Sequence, residues 1–333
     1  MPRIQFLFTF IFILAFGAIA QVNYKNIHTE DKYPVQILES DNEVIFNKAP
    51  TLRYDRIRKK LYVVNSGDYN ILIFDEDLKY IGSFGRKGQG PCEFEYLQGM
   101  DISRSGNLVV VEWIRIQVLD ESYHYLSGFP VNLPGFGAWR IGVDNSDRIY
   151  INDAKSDSLF YICDFEGNQL GKFGSIFPYT YQNAIRSENQ VLFEIDENDN
   201  LFCAFVNYPI LRKYNHEQNL VYEINVAKLP EVKWKKESWE KRSANRLSPN
   251  LYIGKIYFLG LCVDEHYIFL SCDSGPGPLN IYVFDKIDGC IVKKMVLYTP
   301  DKDEMTFMHS LECDDQYLYT IDGFNMRILR YEK

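Results

Sequence analysis

Six aspartates close apolar runs at similar intervals along the chain: Asp55 (LRYD), Asp101 (QGMD), Asp144 (IGVD), Asp196 (FEID), Asp264 (LCVD) and Asp314 (LECD). Recurrent carboxylates are candidate calcium ligands, and Asp196-x-Asn198-x-Asn200 begins as an EF-hand loop begins. The loop fails further on, because its sixth position is Leu201 and its twelfth Asn207, where glycine and a bidentate glutamate are required. What remains for these residues is local chemistry: a short carboxylate accepts hydrogen bonds from turn amides, so a capped turn is expected after each anchor. Seven cysteines (Cys92, Cys163, Cys203, Cys262, Cys272, Cys290 and Cys313) leave at least one thiol unpaired within a monomer. No two form C-x-x-C and most lie in or beside strand-like runs, which suits buried single thiols better than a metal or redox site. Cys262 and Cys272 flank one hairpin, but a turn at Glu265-His266 sets Cys262 opposite Phe269 and leaves Cys272 about 10 Å away, too far for a bridge.

The elements that would carry these residues repeat with them. Each anchor is soon followed by a β-rich run: Leu61-Tyr-Val-Val, Leu108-Val-Val-Val, Ile149-Tyr-Ile-Asn, Leu201-Phe-Cys-Ala, Ile268-Phe-Leu-Ser and Leu318-Tyr-Thr-Ile. A third run then ends in Asp75, Asp120, Asp164, Asn215, Asp285 or Glu332, which lie 20, 19, 20, 19, 21 and 18 residues beyond the matching anchors. A fourth run follows in five units, as in residues 80–84, 169–173 and 291–296, but the sixth unit has none before Lys333. Residues 33–38 or 43–46 precede the first anchor and belong to no other unit, so one of these segments is expected to supply the missing strand. Four antiparallel strands per unit, recurring every 43 to 68 residues in a chain with 15% aromatics, predict an all-β, six-bladed β-propeller closed by an N-terminal strand. The longest interval holds an insert at 227–250, between blades 4 and 5, with seven Lys or Arg against three Glu, plus Trp234 and Trp239. It reads as a solvated loop or short helix over a blade edge, with partner docking as the sharper alternative.

At this point the sequence resembles the NHL-repeat class, and in particular exported bacterial six-bladed propellers. Gly82-Ser-Phe-Gly-Arg-Lys-Gly-Gln-Gly-Pro-Cys-Glu-Phe94 is similar to that family's glycine-rich join between blades, and Ile321-Asp-Gly-Phe-Asn-Met-Arg-Ile328 to its D-x-x-N-x-R-I signature. Cys92 departs from the pattern by standing where the family often has glycine, so either the backbone needs no positive φ there or the turn is strained. The glycines of the join read as structural. A phosphate cradle would need a helix N-terminus after them, and a strand follows instead.

Residues 1–20 carry Arg3, an apolar run and Ala18-Ile-Ala20, which reads as a secretory signal cut before Gln21. An uncleaved anchor is the rival reading. No cysteine stands at the cut for lipid attachment, so residues 21–333 are expected to form a single soluble domain in a periplasm or outside the cell, with no stable membrane insertion. Loss of Arg3 takes the net charge from −9 to −10, and an acidic chain is a poor nucleic-acid binder.

Some six-bladed propellers are enzymes. Lyases of the peptide-amidating kind hold zinc with histidines, yet His28, His124, His216, His266 and His309 fall at dissimilar blade positions. Lactonases of the gluconolactonase type carry a channel metal, for which Glu194 and Glu312 are the acidic candidates here, without that family's flanking pattern. No cofactor and no metal set is expected. The preferred reading is a binding or scaffolding module for a protein or glycan, and a metal-dependent, lactonase-like hydrolase is the alternative. Binding is expected on the face where the loops from fourth to first strand and from second to third strand emerge, with Tyr69, Arg86, Trp113, Arg115, Trp139, Arg140, Tyr208, Phe324 and Arg327 as candidates. Arg327 and Asn325 are also read as structural parts of the signature. Two positions before each anchor stand Arg53, Gly99, Gly142, Glu194, Cys262 and Glu312; the charged members Arg53, Glu194 and Glu312 are expected to border a water-filled channel. The export reading predicts an intact mass for the exported protein that begins at Gln21; a mass retaining residues 1–20 would overturn it.

Overall fold

The computed structural model describes residues 27–41, 43–48, 51–131, 141–152, 157–179, 188–244, 254–275, 277–300 and 307–333. The expected signal segment, Trp139 and Arg140 lie outside the described residues. Six blade sheets follow one another around a ring, and in each the inner three or four strands are antiparallel and laid down in chain order from the inner strand outward. Blade 1 runs from Thr51–Asp55 to Tyr80–Phe84, blade 2 from Leu97–Ile102 to Tyr125–Pro130, and blade 3 from Ile141–Val143 to Gln169–Phe173. Blade 4 runs from Val191–Ile195 to Leu220–Asn225, blade 5 from Phe258–Val263 to Ile291–Leu297, and blade 6 from Met308–Cys313 to Arg327–Glu332.

Alternation along the strands explains the ring. Leu61 and Val63 face blade 6, while Tyr62 and Val64, their neighbours in the same strand, face blade 2. Both sides of each sheet are therefore apolar, and the core divides into six clusters, one for each contact between neighbouring blades.

The turn residues do what their chemistry requires. Asp144 Oδ1 accepts from the amides of Ser146 and Arg148, both at 3.0 Å, and Asp196 Oδ1 from those of Asn198 at 2.9 Å and Asn200 at 2.8 Å, so the EF-like tract is a capped turn. Asp120 and Asp164 cap third-to-fourth turns in the same way, and the His124 amide holds the Asp120 carboxyl below its ordinary value. Asp101 differs. In blade 2 the turn is closed by Ser103, whose amide donates to Asn107 O at 2.8 Å and whose Oγ accepts from the Asn107 amide at 3.1 Å. Asp101 pairs across the hairpin with Val109 as Gly142 pairs with Tyr150 and Glu194 with Phe202, so it stands two residues before the cap, at the position expected for Gly99.

The N-terminal segment closes the ring as anticipated, with an addition. Strand β2 (Gln36–Leu38) pairs antiparallel with Arg327–Glu332 as the outer strand of blade 6. Residues 43–46 form no strand; Val44 and Phe46 instead plug the core between blades 6 and 1. Ahead of β2, strand β1 (Thr29–Lys32) pairs parallel with the outer strand of blade 5 and gives that blade a fifth strand. The insert contains the helix α1 (Pro230–Ala244), with Pro230 at its start and Lys241 and Arg242 in its last turn, as backbone capping and the helix dipole favour. Buried Val232 seats it, and Glu231 accepts from Tyr282 Oη at 2.6 Å and Lys294 Nζ at 2.5 Å, which fastens it to blade 5.

Emptying the plug tests this closure. Phe46→Ala should cost about 3 kcal/mol by denaturant unfolding, and deletion of residues 24–46 should cause aggregation or a drop in melting temperature of roughly 10 °C or more. A monomeric deletion variant with an unchanged melting temperature would place closure elsewhere.

Candidate functional site

The six inner strands bring one residue each to the same height: Arg53, Asp101, Gly142, Glu194, Cys262 and Glu312. Their charged members are paired with one another. Arg53 Nε contacts Asp101 Oδ1 at 2.5 Å, and its Nη1 contacts Glu194 and, at 3.6 Å, Glu312. One guanidinium from blade 1 thus ties together carboxylates from blades 2, 4 and 6, with all four side chains largely buried. Asp101 Oδ2 also accepts from the Val143 amide at 2.7 Å, which extends the clasp to blade 3. Burial pushes the Asp101 carboxyl up to about 6, with Glu194 adding to the effect and Arg53 opposing it. The neighbouring carboxylates, against the cost of burial, hold Arg53 well above its ordinary value, so it stays charged. A cation at Glu194 and Glu312 would have to displace this guanidinium.

The face carrying the second-to-third loops has a different chemistry. In blade 2, Trp113 stacks on Tyr96 with centroids 5.4 Å apart and planes 6° from parallel, and the two are 43% and 49% exposed. Glu112, at the end of the second strand, positions both. Its Oε1 accepts from the amides of Glu95 at 2.7 Å and Tyr96 at 3.4 Å, while Arg115 and Gln117 hold its other oxygen. Blade 6 repeats the arrangement with Phe324 and Phe307, 6.0 Å apart and also exposed. Here Asp322 is the organiser, accepting from the Asn325 side chain at 2.8 Å and Arg327 Nε at 3.0 Å. Blade 4 has Tyr208 on Phe177 at 4.4 Å, with both half-buried. Tyr96, Phe177 and Phe307 do not stand out in the sequence because they fall in the joins between blades, which the repeat leaves unaligned.

The expected binding residues therefore separate by role. Trp113 and Phe324 present exposed rings; Tyr69 and Tyr208 are half-buried, Tyr69 with Lys87 Nζ 5.2 Å over its ring. Arg86 reaches solvent beside Glu93, at 2.8 Å. Arg327 is buried against Asp322, and Arg115 is held by the carbonyls of Gly88, Gln89 and Glu93 as well as by Glu112. Arg115 thereby fastens the glycine-rich join against blade 2, leaving a cavity of about 400 Å³ lined by Gln89, Pro91, Ile114, Tyr125 and Phe129. Within that join Cys92 has φ +57°, so the turn is the strained one of the two alternatives.

A family model described as 6-bladed beta-propeller matches residues 35–320. The chain belongs to that family. Among solved structures, this propeller superimposes on a member of the duf4221 family from Bacteroides vulgatus with a TM-score of 0.64 at 13% identity, covering 90% of this chain and 97% of the other. A protein from Bacteroides fragilis assigned as exported gives 0.55 at 11%, covering 89% and 88%, and virginiamycin B lyase from Staphylococcus aureus gives 0.52 at 10%, covering 90% and 98%. At such identities the likeness extends to the fold alone. No curated protein sequence matches this propeller. Among the described residues no helix is long and apolar enough to cross a membrane, and no group of three His, Cys, Asp or Glu side chains is arranged to hold a metal ion.

The clasp has a pH signature. A carboxyl whose folded-state pKa is raised stabilises the fold fully below its unfolded value near 4, and loses that contribution as pH rises through about 6. Removing the guanidinium takes away the charge that opposes this rise at Asp101. Arg53→Met should therefore cost about 3–5 kcal/mol at pH 7 and clearly less at pH 4.5, read from urea unfolding at both pH values. A loss independent of pH would show that Arg53 acts by packing alone.

Proposed function

We propose that this propeller is an NHL-like, exported binding or scaffolding module that engages a protein or glycan on the face bearing the second-to-third loops. The observation that carries the reading is the set of aromatic pairs that the second-to-third loops of blades 2, 4 and 6 each make with a residue of the preceding join. The rings on blades 2 and 6, with about half their surface in water, supply apolar area at low conformational cost, as interface anchors do. The opposite face offers little of this: its turns are closed by their own carboxylates, and among exposed apolar side chains it presents isolated ones such as Ile57 and Ile287. The hydrolase alternative is less favoured, because its acidic candidates already converge on Arg53. A periplasmic or extracellular site fits the exported Bacteroides fragilis neighbour and the apolar leader.

Retention on a panel of immobilised polysaccharides and pull-down from an envelope extract would test the face. Tyr96→Ala with Trp113→Ala, and Phe307→Ala with Phe324→Ala, should each weaken retention at least tenfold. Ile57→Ser with Ile287→Ser should leave it unchanged. The reverse pattern would assign binding to the other face.

A further inference from the structure

Two of the buried thiols meet across a blade boundary. The inner strands of blades 5 and 6 enter from the same face of the ring, run in the same direction and lie side by side with Cα atoms within 8 Å. Each has a register irregularity at the matching place, Phe258/Gly260 in one and His309/Leu311 in the other. The approach is tightest at Gly260, where an added Cβ would lie 2.6 Å from Leu311 Cβ and 3.0 Å from Leu311 N. Two residues further along come Cys262 and Cys313, on the same faces as Gly260 and Leu311. Both are 1% exposed and belong to the one apolar cluster between these blades. Arg56 confirms that the strands are level there: its Nη2 donates to Val263 O and, at 3.3 Å, to Cys313 O, and lies 3.2 Å from Cys313 Sγ.

We propose that Cys262 and Cys313 are a disulfide-forming pair, which under oxidising conditions cross-links the inner strands of blades 5 and 6. A strand separation that leaves no room for a Cβ at Gly260 places the two following Cβ atoms near the spacing a disulfide needs, about 3.5–4.5 Å. The reaction is thiol–disulfide exchange with a small oxidised disulfide such as oxidised glutathione. One cysteine thiolate attacks the reagent and releases one reduced thiol; the second cysteine attacks the mixed disulfide and releases another. Two protons and two electrons leave the protein, and the reagent's S–S bond takes them up. Once the blades have met, the two thiols differ. Burial pushes the Cys262 thiol up, whereas Cys313, against the effect of burial, is held below the usual thiol value by Cys262, Arg56 and Lys333. With both sulfurs enclosed, the exchange takes place as the blades come together, and the completed bond is shielded from reductants.

The test is to refold the wild-type protein with oxidised glutathione, denature it without reductant, alkylate the free thiols and map the peptides by mass spectrometry. The expected product is a cross-linked pair of peptides containing Cys262 and Cys313, about 2 Da lighter than the two thiol peptides. Its melting temperature should lie roughly 5–10 °C above that of the reduced protein. Cys313→Ser should melt with the reduced wild type and show no such shift on oxidation. If both peptides are recovered alkylated after oxidative refolding, or if either cysteine is found bonded to a different one, the proposal fails; the peptide map decides this on the wild-type chain whether or not the variant folds.

Discussion

Each blade is a sheet with two apolar faces, and a sheet of that kind cannot stand alone in water. The structure depends on this constraint. Every face is covered by the next blade, so the arrangement has no end until the sixth sheet meets the first, and a ring left open would expose two complete faces at once. Closure is made by the N-terminal segment at three places: β1 on blade 5, β2 on blade 6, and Val44 with Phe46 in the seam between blades 6 and 1. At the centre Arg53 draws on blades 1, 2, 4 and 6. The perimeter is held by hydrogen bonds and packing, the axis by charge.

The fold was legible because its repeat is written in turn chemistry. An aspartate that must accept two amide hydrogen bonds leaves a mark at each turn, and the alternation between marks reports the strands. Even the register of one hairpin could be read, with Cys262 opposite Phe269 as expected. Asp101 shows the limit. A serine caps its turn instead, so the anchor pattern points to an aspartate that stands two residues earlier and pairs with Arg53. β1 was illegible for another reason: a short parallel strand of exposed and half-buried residues has neither a turn signal nor a strict apolar alternation.

The candidate site was only partly visible. The loop aromatics Trp113 and Phe324 stand out in the sequence as large apolar residues among polar ones, but their partners Tyr96 and Phe307 look like the first residues of strands. That Arg115 and Arg327 hold loops in place, and that Arg53, Glu194 and Glu312 hold one another, are relations between residues distant in the chain, which no local pattern carries. Arg115 and Arg327, paired with Glu112 and Asp322, fix the loops from which the exposed rings of Trp113 and Phe324 project.

The strap at the N-terminus also sets an order of events. Lys32 Nζ donates to the carbonyl of Lys333 at 3.1 Å across 301 positions, and Gln36 pairs with Arg330, so residues made before the first blade find their partners in the last strand of the sixth. Blades 1 to 4 can pack on one another during synthesis, but the circle cannot be completed until the last strand of blade 6 has been made. Such distant pairing makes the final step slow. Until then the outer edges of the last two sheets and one face at each end of the arc stay open, which is the interval in which the chain is most exposed to self-association.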